Sequence, residues 1–168
     1  LNIKIYNYVF IWHYFITLVY IYFVNNNGGD QLYYYYKFDS FDEFSNTIET
    51  NKNIFYPGRN IIVLINIFLK YYLSASYISV VFIFSSFGLY SLLFFYYICK
   101  NIVSKNILSD EYNYLILFLV FIPSFSFWTS GIGKDSISCF TIIFSIYAVY
   151  TKKNEFIKIL FSCFLVFL

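Results

Sequence analysis

The chain has 168 residues, of which 60% are hydrophobic and 12% charged, and its formal net charge is +2. This composition is far more apolar than that of a typical soluble domain. The net charge is weak, and no polar segment contains a dense basic cluster, which excludes a nucleic-acid partner. Because the apolar residues form long uncharged runs, we predict an all-α protein, a polytopic bundle of transmembrane helices.

The first apolar run covers residues 5–24, which is enough for a helix across a hydrocarbon core about 30 Å thick. A secretory signal peptide is the alternative, but its apolar core would be about 7–15 residues long and would end at small residues. This run ends in VNNNGGD, so we expect a retained helix. His13 lies near its middle and should either pack against another helix or face a cavity.

A polar segment, residues 25–60, follows and holds most of the acidic residues; we expect it to be the first outer loop. Phe38, Phe41 and Phe44 recur in it at helical spacing, with acidic residues between them. This pattern predicts a short amphipathic juxtamembrane helix, and an ordinary solvated loop helix is the alternative.

The next apolar run, residues 61–72, contains Asn66 and Lys70 and is too short for a straight span of about 20 residues. We expect a juxtamembrane or re-entrant helix there. Residues 74–99 are uncharged and long enough to cross, and they include Ser and Gly residues of the kind that let helices approach closely.

The second half of the chain predicts a hairpin of two spans, residues 114–129 and 136–150, joined by the turn SGIGKD. Pro123 removes a backbone donor, so a kink is expected near the end of the first of these helices. A further apolar run, residues 156–168, stops at the last residue of a chain that contains no Met. We therefore expect a single membrane domain that is a fragment.

Basic residues predict the orientation. If residues 61–72 do not cross, six lysines share one side of the membrane: Lys4, Lys100, Lys105, Lys152, Lys153 and Lys158. This side should be cytoplasmic. The polar segment and the turn SGIGKD then both face outward.

Two neighbouring charges, Lys134 and Asp135, are the only ones between Glu111 and Lys152. In one interpretation they cap the turn in the headgroup region, because a charge at bilayer depth costs about 2.5–3.5 kcal/mol. Alternatively, Asp135 begins a helix whose free N–H groups favour anions, and Lys134 neutralises a phosphate. A P-loop is rejected, since it would require glycine in place of Trp128 and serine or threonine in place of Asp135.

Asp30, in NNGGDQLYYYY, is the second candidate site. Its carboxylate could act as a general base or bind a metal, and the following tyrosines offer faces on which sugars stack. The alternative is a turn followed by an interfacial aromatic belt. Arg59 could pair with phosphate or extend to lipid headgroups. The three cysteines, Cys99, Cys139 and Cys163, are too widely spaced for a disulfide framework or a zinc site.

The segments GGDQLYYY and IPSFSFWTSGIGKDS resemble multi-pass bacterial proteins of surface-polysaccharide assembly, namely the O-antigen or capsular polysaccharide polymerase-like families and the GT-C-type membrane glycosyltransferases. The resemblance implies sugar transfer from a polyprenyl-phosphate or polyprenyl-diphosphate donor at the outer face of the cytoplasmic (inner) membrane. It implies that Asp30 acts at the acceptor and that Lys134, with Arg59, stabilises the phosphate leaving group.

We place Asp30, Lys134 and Asp135 in the catalytic set and Arg59, Tyr34 and Trp128 in substrate binding. Many GT-C-type enzymes have paired acids where this chain has Asp30 followed by Gln31, so we predict neither a metal ligand set nor a cofactor; a divalent cation has no support. The expected partners are the lipid bilayer and a lipid-linked sugar. A transporter or flippase for an anionic substrate and a non-catalytic assembly subunit are the alternatives.

Overall fold

The computed structural model describes residues 3–38, 40–50, 57–105 and 110–151, and within these ranges all regular secondary structure is α-helical. The helices are α1 (Ile3–Asn27), α2 (Asp30–Tyr36), α3 (Phe41–Thr50), α4 (Pro57–Leu73), α5 (Tyr77–Lys105), α6 (Asp110–Val120), α7 (Pro123–Trp128) and α8 (Lys134–Thr151). The predicted all-α class is therefore confirmed. The further span expected at residues 156–168 lies outside the described ranges.

In the described part of the chain, two helices are long and apolar enough, by length and composition, to cross a membrane: Lys4–Asn27 in α1 and Tyr77–Val103 in α5. Many large apolar side chains of α1 are exposed, namely Tyr8, Phe10, Ile11, Phe15, Leu18, Val19, Tyr22 and Phe23. An exposed apolar surface of this extent is typical of a contact with lipid or with another protein.

The apolar stretch Tyr114–Trp128 is shorter and is divided between two helices. α6 ends at Val120, and α7 begins with Pro123 at its N-terminus. Ile122, between them, has an extended backbone conformation with φ −60° and ψ 118°. A residue before proline is disfavoured in the helical region, and the proline itself has no N–H to donate, so the helix is interrupted at this point.

α5 is the central helix, and it packs against α1, α6 and α8. At Gly88 its backbone lies against the turn that follows α7, because an added Cβ atom there would be 2.8 Å from both Cβ and Oγ1 of Thr129. Only glycine allows this close approach.

A buried polar cluster connects α1, α5 and the turn after α7. Nε2 of His13 donates a hydrogen bond to the carbonyl oxygen of Ser85 over 2.9 Å. Oγ1 of Thr17 lies 2.6 Å from Oγ of Ser85 and 3.1 Å from Oγ of Ser130. Of the two alternatives for His13, the structure therefore shows the packed one, in which the imidazole bonds to a neighbouring helix.

The helices α2, α3 and α4 contribute to one apolar cluster, which also includes the start of α5. Both ends of α4 reach α2: the Arg59 guanidinium lies 5.6 Å from the ring centre of Tyr33, and the Lys70 ammonium lies 5.1 Å from that of Tyr35. The hydroxyl of Tyr35 also donates to the carbonyl oxygen of Ala75, just after α4, over 2.9 Å. α4 therefore runs alongside α2.

α3 occupies the segment in which the phenylalanine spacing predicts a short helix. Phe44 is buried, and its ring centre lies 5.2 Å from that of Phe38, whereas Phe41 is exposed. Asp42 and Glu43 are exposed on the remaining surface of the helix. Phe44 therefore attaches α3 to the end of α2.

Candidate functional site

A cleft opens where the end of α1, the start of α2 and the turn between α7 and α8 meet. Gly28 ends α1: its φ of 77° is left-handed, and its N–H donates to the carbonyl oxygen of Val24 over 2.8 Å. This is the usual glycine position just after a helix, where an L side chain would be strained. The chain then turns sharply, and α2 begins at Asp30.

Gln31 holds α2 against the rest of the molecule. Its side chain is 1% exposed. Nε2 donates to the hydroxyl of Tyr77 at the start of α5, and Oε1 accepts the backbone N–H of Ile132 over 3.2 Å. One amide group therefore joins α2, α5 and the turn before α8, which places Asp30 opposite that turn.

Five of the six predicted site residues line this one cleft, whose volume is about 340 Å³. They are Asp30, Tyr34, Trp128, Lys134 and Asp135. The two carboxylates and the ammonium are exposed to solvent. The fold thus brings together two segments that are about a hundred residues apart in the sequence, at the end of α1 and at the start of α8.

Arg59 does not line the cleft; its guanidinium lies over the ring of Tyr33. Its positive charge nevertheless affects the site. The pKa of Tyr34 is raised first by burial and then by the negative charge of Asp30, whereas the charge of Arg59 lowers it. The Tyr34 hydroxyl therefore remains protonated at neutral pH and can donate a hydrogen bond to a ligand.

The charges in and beside the cleft are balanced. Asp30 and Asp135 contribute two negative charges, and Lys134 with the neighbouring Arg59 contributes two positive ones. The N-terminus of α8 adds a partial positive charge at Lys134. An anion such as a phosphate would contact the ammonium and this helix end, while a carboxylate remains available as a proton acceptor.

No protein-family model, curated protein or solved structure matches the chain. Any function proposed for the chain therefore rests on the composition and geometry of the cleft.

A metal centre is not assembled in the part of the chain that the structure describes, where no three side chains of His, Cys, Asp or Glu come together. The cleft itself offers two carboxylates from separate helices.

Gln31 is the residue whose role the sequence does not reveal. In the sequence it is only the polar neighbour of Asp30, at a point where many GT-C-type enzymes have a second acid. In the structure it is the buried group that positions the start of α2. Its partners are 46 and 101 residues away in the chain, so no local pattern identifies them.

Proposed function

We propose that the chain is a multi-pass protein of the cytoplasmic membrane that takes part in cell-surface polysaccharide assembly. It would transfer or polymerise sugars from a polyprenyl-phosphate or polyprenyl-diphosphate donor at the outer face. One observation carries the proposal: Asp30, Lys134 and Asp135 line a single cleft with aromatic side chains that include Tyr34 and Trp128. A carboxylate base, a cation for the leaving group and aromatic faces for a sugar are the parts that glycosyl transfer requires.

In this reaction an acceptor hydroxyl attacks the anomeric carbon of the donor sugar. A new glycosidic bond forms, and the bond between that carbon and the phosphate oxygen breaks, so that the phosphate leaves with the electron pair. Asp30 takes the proton of the acceptor hydroxyl. Lys134 and the N-terminus of α8 stabilise the charge that develops on the phosphate.

The proposed topology has α1, α5, the α6–α7 pair and α8 crossing the membrane, with α2, α3 and α4 at the outer surface. The length and composition of α1 and α5 support two of these crossings. The course of α4 alongside α2 supports its placement at the surface, because a crossing helix would carry its two ends to opposite sides. The lysine-rich connections then face the cytoplasm.

The proposal is tested by neutralising the two principal charges of the cleft separately, as Asp30→Asn and Lys134→Gln. Loss of a general base lowers rates by about 10²–10⁴-fold, and loss of a group that stabilises developing negative charge lowers them by about 10²–10³-fold. We expect both variants to abolish detectable polymer, measured as sugar transfer from a labelled polyprenyl-diphosphate donor in isolated membranes.

Matched controls are Asp42→Asn and Lys100→Gln, which neutralise charges that do not line the cleft. Both should form polymer normally, and immunoblots should show equal amounts of inserted protein for all four variants. Normal polymer from both Asp30→Asn and Lys134→Gln would contradict the proposed chemistry.

A transporter or flippase is the second candidate, and two observations favour it. The helix interrupted at Pro123 and the buried cluster of His13, Thr17 and Ser85 are features that transporters place along a substrate path. Purified protein in vesicles separates the two functions. Movement of a lipid-linked phosphate across the bilayer without formation of a glycosidic bond would favour the transporter.

A further inference from the structure

A second and larger cavity adjoins the cleft. It has a volume of about 730 Å³ and lies among α5, α6, α7 and α8. Its wall is mostly apolar and includes Leu92, Phe95, Leu119, Ile142, Ile143 and Ile146. We call this cavity the apolar groove. Trp128 and Asp135 line both the cleft and the apolar groove, so the two cavities share a boundary.

The apolar groove extends along α8 away from the charges. Asp135 and Ile146 mark its extent on this helix. Eleven residues of α-helix correspond to about 16 Å, which is about half the thickness of a hydrocarbon core. The combined cavity therefore has a charged end at Lys134 and an apolar body parallel to a helix that we propose to cross the membrane.

Another apolar cavity, of about 550 Å³, lies between α1 and α6. It is lined by Ile5, Tyr8, Ile11, Trp12, Phe15, Leu117 and Phe121, none of which lines the cleft. A ligand with a charged group in the cleft cannot extend directly into this cavity. Of these three cavities in the described part of the chain, the apolar groove is the one that shares lining residues with the charged cleft.

We infer that the apolar groove binds the hydrocarbon chain of the lipid whose phosphate lies in the cleft; this inference rests on the proposed function. The phosphate contacts Lys134 and the start of α8, and the chain passes Trp128 and lies against Ile142 and Ile146. The indole of Trp128 suits this boundary, because it presents an apolar face and a polar N–H. The substrate would thus enter sideways from the bilayer, between α7 and α8.

Cys139 provides a direct test, because it lines the apolar groove. In a variant in which Cys99 and Cys163 are replaced by serine, the rate at which a small apolar maleimide labels Cys139 reports whether the groove is occupied. Farnesyl phosphate should protect Cys139 at a concentration about tenfold lower than farnesol does, since the phosphate adds a charge-assisted contact. Inorganic phosphate should not protect it. In Lys134→Gln the advantage of farnesyl phosphate over farnesol should disappear.

A matched pair of substitutions tests the path of the chain. Ile146 and Val149 are both exposed, and they are three residues apart on α8, but only Ile146 lines the apolar groove. Ile146→Trp should fill the groove and weaken the binding of radiolabelled farnesyl phosphate about tenfold. Val149→Trp should leave the binding unchanged.

The outcomes separate this inference from the proposed function. Binding of farnesyl phosphate that depends on Lys134, but neither protects Cys139 nor responds to Ile146→Trp, would overturn the apolar groove as the chain site and leave the phosphate site intact. Equal protection by farnesol and farnesyl phosphate would also overturn the inference. Binding that is unaffected by Lys134→Gln would overturn both the inference and the phosphate site of the proposed function.

Discussion

Gln31 is the single residue on which the geometry of the cleft depends most. Because its amide bonds to both the Tyr77 hydroxyl and the Ile132 N–H, it fixes the distance between Asp30 and the turn that carries Lys134. An acidic residue at this position would be buried, and a carboxylate could not donate to Tyr77. A second acid at this position could therefore not form both of the hydrogen bonds that the amide forms.

Replacing Gln31 by leucine should destabilise the protein. The substitution leaves the Ile132 N–H and the Tyr77 hydroxyl without this partner, and each buried unsatisfied group costs about 1–3 kcal/mol. We expect the free energy of unfolding in detergent, measured by titration with sodium dodecyl sulfate, to fall by about 2 kcal/mol or more.

Three further variants complete this experiment. Tyr77→Phe should cost less than Gln31→Leu, and the double variant should be less destabilised than the sum of the two, because the residues share a bond. Tyr36→Phe is the control, since Tyr36 is an exposed tyrosine of α2, the helix that contains Gln31. If Gln31→Leu were as stable as Tyr36→Phe, the assigned role of Gln31 would be wrong.

At the scale of helices, the turn between α7 and α8 is held by close backbone contact with α5. Gly88 faces Thr129, and Ser130 joins the polar cluster with Thr17. α8 packs against α5, so this contact also helps to position Lys134, the first residue of α8.

Gly88→Ala tests this contact. The added methyl group would lie within 3 Å of Thr129, where backbone and side-chain atoms must both move, and overpacking of this kind costs about 1–3 kcal/mol. We expect a lower temperature of thermal unfolding in detergent. Gly133→Ala is the matched control, because a Cβ atom there meets no other atom within 4 Å. Equal unfolding temperatures for the two variants would show that the contact at Gly88 is not tight.

The helices differ in how far the sequence predicts them. Long uncharged runs predict α1 and α5, and Pro123 predicts the interruption between α6 and α7, because these signals are local. The helix α2 has no such signal, because its run of four tyrosines has no helical period. The alternative of a turn followed by an aromatic belt did not predict a helix there. Its position depends on the distant contacts of Gln31.

The same contrast applies to the candidate site. The residue types of Asp30, Lys134 and Asp135 indicate their chemistry, and the assumed orientation predicts that they lie on one side of the membrane. That they line one cleft follows from tertiary contacts, above all those of Gln31 with Tyr77 and Ile132. The apolar groove could not be predicted, because its wall combines residues from four helices.

For the whole molecule, the proposed function requires that the cleft opens on the outer side of the membrane and that the lysine-rich connections lie on the cytoplasmic side. The charge distribution supports this orientation. This orientation depends on α4 lying at the surface. If α4 crossed the membrane, the segments before it would have the opposite orientation relative to the segments after it.

Sided labelling of single cysteines tests this central claim most directly. In a background in which the native cysteines are replaced by serine, Asp30→Cys, Lys134→Cys and Lys100→Cys are each treated with a membrane-impermeant maleimide in intact cells and again after permeabilisation. We predict that Asp30→Cys and Lys134→Cys are labelled in intact cells and that Lys100→Cys is labelled only after permeabilisation. Labelling of Asp30→Cys and Lys134→Cys from opposite sides would contradict the account.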